Sequence, residues 1–75
     1  LWLEAVRLKL TGQVAEKYDI WYRVHSSDYG WLGWAKNGDE AGTEGLGKAV
    51  EAVQIVLEDK GSSAPGSTSS SFIKK

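Results

Sequence analysis

A chain of 75 residues with nine basic and ten acidic side chains and a net charge of -1 has room for one small domain and no electrostatic footprint for nucleic acid. With neither cysteine nor methionine, it has no disulfide framework and no thiolate metal site to reinforce a marginal core, so packing must do so, alone or with a partner chain. No apolar run approaches the roughly 20 residues of a membrane-spanning helix, and the start at Leu1 is expected to lie inside a longer polypeptide.

The first element is "LEAVRLKL", Leu3 to Leu10, and it returns 47 residues later as "VEAVQIVL", Val50 to Leu57. Glu, Ala, Val and the final Leu recur at matching places. A recurrence at that distance predicts a repeat, with residues 1–12 the terminal strand of a preceding copy and residues 13–60 one whole copy. The pair also decides secondary structure. Alone, "GKAVEAVQIVLEDK" could place Ala49, Val50, Val53 and Leu57 on one helical stripe. In both copies, however, alternate positions stay apolar: Val6, Leu8 and Leu10 answer to Val53, Ile55 and Leu57, whereas the helical stripe would bring Lys9 to the place of Val56. Both copies are therefore predicted to be strands.

Between them, "YDIWYRVH" alternates cleanly, with Tyr18, Ile20, Tyr22 and Val24 on one face and Asp19, Trp21, Arg23 and His25 on a face expected to be solvated. Trp31 to Lys36 is a further strand. Asn37-Gly38 marks a two-residue hairpin turn, because both central residues of a type I′ turn need positive φ, and it predicts a partner strand over Glu40 to Thr43. From Gly61 to Ser71, "GSSAPGSTSSS" holds no side chain suited to packing and reads as a flexible tether, so residues 61–75 are expected to lie outside the domain.

These residues resemble the clostridial hydrophobic repeat, known for its Gly-Trp dipeptide. The likeness covers roughly Ile20 to Leu57 and is carried by "YRVH" at Tyr22 to His25, Gly30-Trp31, Trp34, "NGDEAGT" at Asn37 to Thr43 and "VEAVQIVL" at Val50 to Leu57. Leu32 stands where such repeats often carry a polar residue, and "GLG" at Gly45 to Gly47 is atypical. The resemblance implies a secreted or surface-attached protein of a Gram-positive bacterium, with tandem copies often joined to wall hydrolases, peptidases or adhesion modules. It implies no particular ligand.

Candidate contact residues follow from the aromatics. Gly30 and Gly33 remove side chains beside Trp31 and Trp34, which either bares the rings for stacking on a sugar or lets another backbone approach. Residues three apart point to opposite faces of a regular strand, so both rings can be core only across a bulge or turn. Trp31 has a structural reading beside the binding one, Trp34 is expected to be partly exposed, and Trp21, beside Asp19 and Arg23, is either another exposed ring or a strand-pairing contact. His25 is the single histidine, too few for a histidine zinc site. An oxygen site from Asp28, Asp39 and Glu40 is weighed against turn capping, and the latter is preferred. Catalysis is not expected, since Asp39 and Glu40 are adjacent and point apart on a strand, whereas glycosidase carboxylates must face one bond.

The sequence thus predicts an all-β module of about five antiparallel strands, one repeat plus the terminal strand of another, without cofactor or metal. Its predicted role is non-catalytic binding to a glycan, a cell-wall polymer or a surface protein, through Trp31, Trp34, Trp21, His25, Asp28 and Asp39. The alternative is a structural repeat whose aromatics pack between neighbouring copies, with self-association of the isolated unit.

Overall fold

A computed structural model describes residues 3–75; Leu1 and Trp2, which belong to the predicted terminal strand, lie outside the described residues. Seven strands and one short helix follow in the order β1 (Ala5–Val6), α1 (Gly12–Lys17), β2 (Tyr18–Ser26), β3 (Gly30–Trp31), β4 (Ala35–Lys36), β5 (Ala41–Glu44), β6 (Val50–Asp59) and β7 (Phe72–Lys74). The all-β expectation holds. Two strands more than expected appear because Gly30 to Lys36 is interrupted at residues 32–34 and because the tail adds β7.

The backbone of the fold is the long antiparallel pair of β2 and β6, running from Tyr18 opposite Asp59 to Ser26 opposite Val50, with a register shift between His25 and Ser26. The other edge of β2 carries β3 at His25 and Ser26 and β4 at Trp21 and Tyr22. A second sheet has β5 at its centre, with β1 antiparallel on one side and β7 parallel on the other. Tyr22, Val24, Leu32, Ala35 and Ala41 form the buried core, and Val6, Leu8, Ile20, Val50 and Ile73 pack against it. The alternation along β2 therefore places its apolar face where the sequence pattern put it.

Three local features depart from the expected arrangement. The turn at Asn37-Gly38 forms, with φ of 47° and 92° and the N–H of Asp39 donating to the Lys36 carbonyl at 3.1 Å. The hairpin does not: β4 pairs with β2, whereas β5 leaves for the other sheet. Side chains at the turn determine this exit. Asn37 exchanges bonds with β2, its N–H donating to the Ile20 carbonyl at 3.1 Å and its Oδ1 accepting from the Ile20 N–H at 3.0 Å. The buried Tyr22 hydroxyl donates to the Asp39 carbonyl and accepts from the Gly38 N–H at 3.1 Å. Beyond the turn, Gly42, at φ 131°, lacks the Cβ that would collide with the Glu4 carbonyl and come within 2.6 Å of the Ala5 Cα, so β1 can lie directly against β5.

The second is α1, a helix for which the sequence sets no expectation and which forms an exposed connection with no buried residue. Gln, Ala, Glu and Lys within it favour helix, but at six residues it is too short to show a periodic pattern. The third concerns the tail. Far from lacking contacts, it runs back along the domain: the N–H of Trp34 donates to the Ser67 carbonyl at 2.9 Å, and that of Gly42 to the Ser71 carbonyl at 2.9 Å, and β7 then pairs with β5. Residues 61–71 lack large apolar side chains, yet this segment docks through main-chain groups that every residue carries. Its small residues permit the close approach. A Cβ on Gly66 would stand 3.0 Å from Trp34 Nε1, and one on Gly33 would collide with the Ser69 carbonyl.

Candidate functional site

The outer face of β2 carries Asp19, Trp21, Arg23 and His25 at period two, and each has found a partner. The Arg23 guanidinium lies 4.5 Å from the Trp31 ring centroid and 4.9 Å from that of Trp34, inside the range of cation–π attraction. His25 meets Trp31 edge-on at 5.2 Å and 87°. Lys36, opposite Trp21 on β4, reaches over the Trp21 ring at 5.2 Å. From β6, Gln54 accepts from Arg23 Nε at 2.6 Å and Glu51 Oε1 sits 2.9 Å from His25 Nδ1. The result is a ladder of rings and cations along one strand, with polar groups along its β6 side.

The irregular stretch after β3 explains how both rings reach that ladder. Trp31 pairs opposite His25, residues 32–34 leave the strand, and Trp34 returns on the other flank of Arg23. Opposite-facing rings, as expected of a regular strand, are thereby avoided, and Leu32 is free to enter the core. Between Arg23, Trp31 and Trp34 on one side and the tail residues Pro65, Gly66 and Ser67 on the other lies an open groove of about 310 Å³.

The predicted contact residues separate into groups. Trp31 lies in this groove and is 42% exposed; His25 stands at its edge. Trp34 lines the groove, but it is only 8% exposed, contrary to the expectation of a partly open ring, because the tail covers it. Trp21 is buried, so the reading of it as an exposed ring is corrected. Its indole Nε1 is enclosed without a hydrogen-bond partner among the described residues. Asp28 occupies the β2–β3 turn at φ 68° and pairs with Lys48 at 2.6 Å, outside the groove lining. That bond, and the charge of Lys48 behind it, holds the Asp28 carboxyl below its ordinary value and raises the Lys48 amine. Asp39 sits beside the Asn37-Gly38 turn, at the end of β2 far from Trp31. Glu40 pairs with Arg7 at 2.5 Å, so the three carboxylates weighed as oxygen ligands do not converge.

Arg23, which lines the groove, and the β6 residues Gln54 and Glu51, which hold Arg23 and His25, are not among the predicted contact residues. Arg23 had a signal, since it alternates with Trp21 and His25 on one face; the β6 residues became readable only once register was known. Asp19 was expected on a solvated face and is 2% exposed. It accepts from Asn37 Nδ2 at 2.8 Å and from the Gly61 N–H at 3.0 Å, with Lys60 at 3.2 Å. These donors, Asn37 foremost, lower its pKa from 3.8 to about 2. Its role is to tie β2, the Asn37 turn and the end of β6 together.

Two sheets around a small core, a long strand pair and an aromatic groove on one outer face describe an all-β repeat module. Residues 25–59 match the family described as Clostridial hydrophobic W, the repeat family that the sequence resembles. No curated protein and no solved structure matches the chain.

Proposed function

We propose that this module is a non-catalytic binding unit of a bacterial cell surface or cell wall, which takes a glycan or wall polymer into the Trp31 groove. The observation that carries this reading is Trp31 itself. Its ring is 42% exposed beside an open groove, while an arginine and a histidine fix its orientation from within the module. A large apolar ring preset in a polar surround is suited to a ligand with one apolar face and many hydroxyls, since little conformational entropy is lost on binding. Arg23 and the serine-rich tail supply hydrogen-bonding groups along that groove. Secretion and tandem arrangement in a Gram-positive protein fit the same reading and are part of the proposal.

The rival reading, aromatics packed between copies, has fewer rings at its disposal, because Trp21 and Trp34 are buried within one module. Co-sedimentation with purified Gram-positive cell walls tests the proposal, with Trp31→Ala as the variant and circular dichroism as the check of folding. Retention of the chain and loss of the folded variant is the expected outcome. Equal sedimentation of both proteins, or of neither, overturns the assignment of the groove.

A further inference from the structure

The two copies of the eight-residue element, Leu3–Leu10 and Val50–Leu57, sit in different surroundings, and the difference is informative. In the first copy the even-numbered residues turn their main-chain groups toward β5 and the turn before it. Glu4 accepts from the Thr43 N–H at 2.9 Å, Leu8 accepts from the Gly38 N–H at 2.7 Å, and Val6 stands opposite Ala41. Val6 and Leu8 pack their side chains against the core.

In the second copy, pairing with β2 fixes which groups face outward. The Lys60 N–H donates to the Lys17 carbonyl at 2.9 Å, continuing the pairing of Tyr18 with Asp59. Hydrogen-bonded pairs alternate along an antiparallel ladder, so Glu58, Val56, Gln54 and Ala52 face β2. Val53 and Ile55 direct their N–H and C=O groups to the other edge of β6, along which no strand pairs among the described residues; only at its start, beyond the register shift, does the Val50 N–H donate to the Leu3 carbonyl, at 2.7 Å. Shifted by the 47-residue offset, these two are Val6 and Leu8. The outward set of the second copy is thus the set that, in the first copy, engages β5 and its turn. The side chains agree. Val53, Ile55 and Leu57 are exposed, Ile55 to 57%, as an apolar stripe on an edge strand that carries neither lysine nor proline over Val50–Asp59, an arrangement that natural sheets rarely leave uncovered.

We infer that the open edge of β6 docks a second copy of this repeat, taking on that copy's β5 the place Leu3–Leu10 takes here. Ala52 then faces the second copy's Gly42, where the absent Cβ admits it as it admits Ala5, and Val53 faces the second copy's Ala41. Ile55 fills the position of Leu8. One strand serves two copies because its two edges use different residues: even ones hold its own β2, odd ones the next β5. The contact is heterologous and can propagate head to tail.

The test is a chain in which residues 13–59 are duplicated in place, supplying a second β5 without a strand of its own, compared with the 75-residue chain. Amide hydrogen exchange at Val53 and Ile55 of the first copy is expected to slow by about tenfold or more in the duplicated chain, as for amides brought into a ladder. Ile55→Asp in that copy is expected to leave the unfolding midpoint of the 75-residue chain nearly unchanged and to lower that of the duplicated chain, as Leu8→Asp lowers both. Exchange at equal rates in the two chains, or an Ile55→Asp effect of equal size in both, overturns the proposal. The exchange comparison needs no substitution and so stands even where a variant fails to fold. Wall binding plays no part in either readout, and loss of binding in Trp31→Ala leaves this result untouched.

Discussion

The two faces of β2 are built from alternating residues of one strand, yet they are closed in different ways. Ile20, Tyr22 and Val24 face the second sheet and are covered by Leu32, Ala35 and Ala41, a closure in which removal of apolar surface from water is the dominant gain. On the other face no sheet arrives among the described residues. Asp19, Trp21, Arg23 and His25 are instead covered by side chains reaching across from β3, β4 and β6 and by the tail. Such a cover is assembled from pairwise contacts, each worth little, and it ends wherever a partner is missing. Trp31 stands at that end, which is why its open ring belongs to the polar face and not to a breach in the core.

The sharpest way to break the contrast is to remove the anchor of the closed face. Tyr22 is fully buried and its hydroxyl bridges Gly38 and Asp39, so Tyr22→Ala loses both ring and bridge. Truncation of a buried aromatic costs about 3–5 kcal/mol, comparable with the whole stability of so small a domain. Loss of a cooperative unfolding transition by circular dichroism is expected; a variant that still unfolds within about 1 kcal/mol of the parent would show that the two sheets do not depend on this ring.

How much of this arrangement the sequence discloses follows from the range of each determinant. The alternation of β2, the strand character of Val50–Leu57 and the Asn37-Gly38 turn rest on neighbours a few positions apart, and all were legible. Which strand β5 would choose was not, because it rests on Gly42 meeting Ala5 and on Tyr22 reaching Asp39. Trp34 gives the clearest case at the site: nothing near it in the chain foretells burial, which comes from Ser67 and Gly66 folding back through main-chain contacts. Trp31 and His25 could be singled out by type and spacing. Arg23 could have been, had the face been read as a row of stacking partners instead of as solvated polar residues.

A smaller effect probes the charged end of the outer face. Asp19 has a folded-state pKa of about 2, below the ordinary 3.8, so its ionised form is favoured by folding. Its contribution is present in full above the unfolded value and is lost as pH falls through the folded one. Urea midpoints are therefore expected to decline from about pH 4 toward pH 2. Asp19→Asn should be less stable than the parent at pH 6 and show a shallower decline. Asp28, also lowered by its lysine, acts in the same direction, and Asp28→Asn measures that share separately. A parent profile flat across this window would remove Asp19 as the tie between the turn and β6.

A modest expected change in stability falls on the residue with the largest expected change in binding. Trp31→Ala removes a half-exposed ring, one of two that flank Arg23, and the edge contact with His25. A cation–π contact at an exposed position and an aromatic pair together put the loss at about 1–2 kcal/mol. Arg23 keeps Trp34 and Gln54, so its position should survive. A denaturation midpoint shifted much less than in Tyr22→Ala, with wall retention abolished, would separate the two faces by function as well as by construction. If Trp31→Ala unfolds the module as readily as Tyr22→Ala does, the ring is part of what closes the outer face, and the groove beside it is a consequence of packing with no claim to be a binding site.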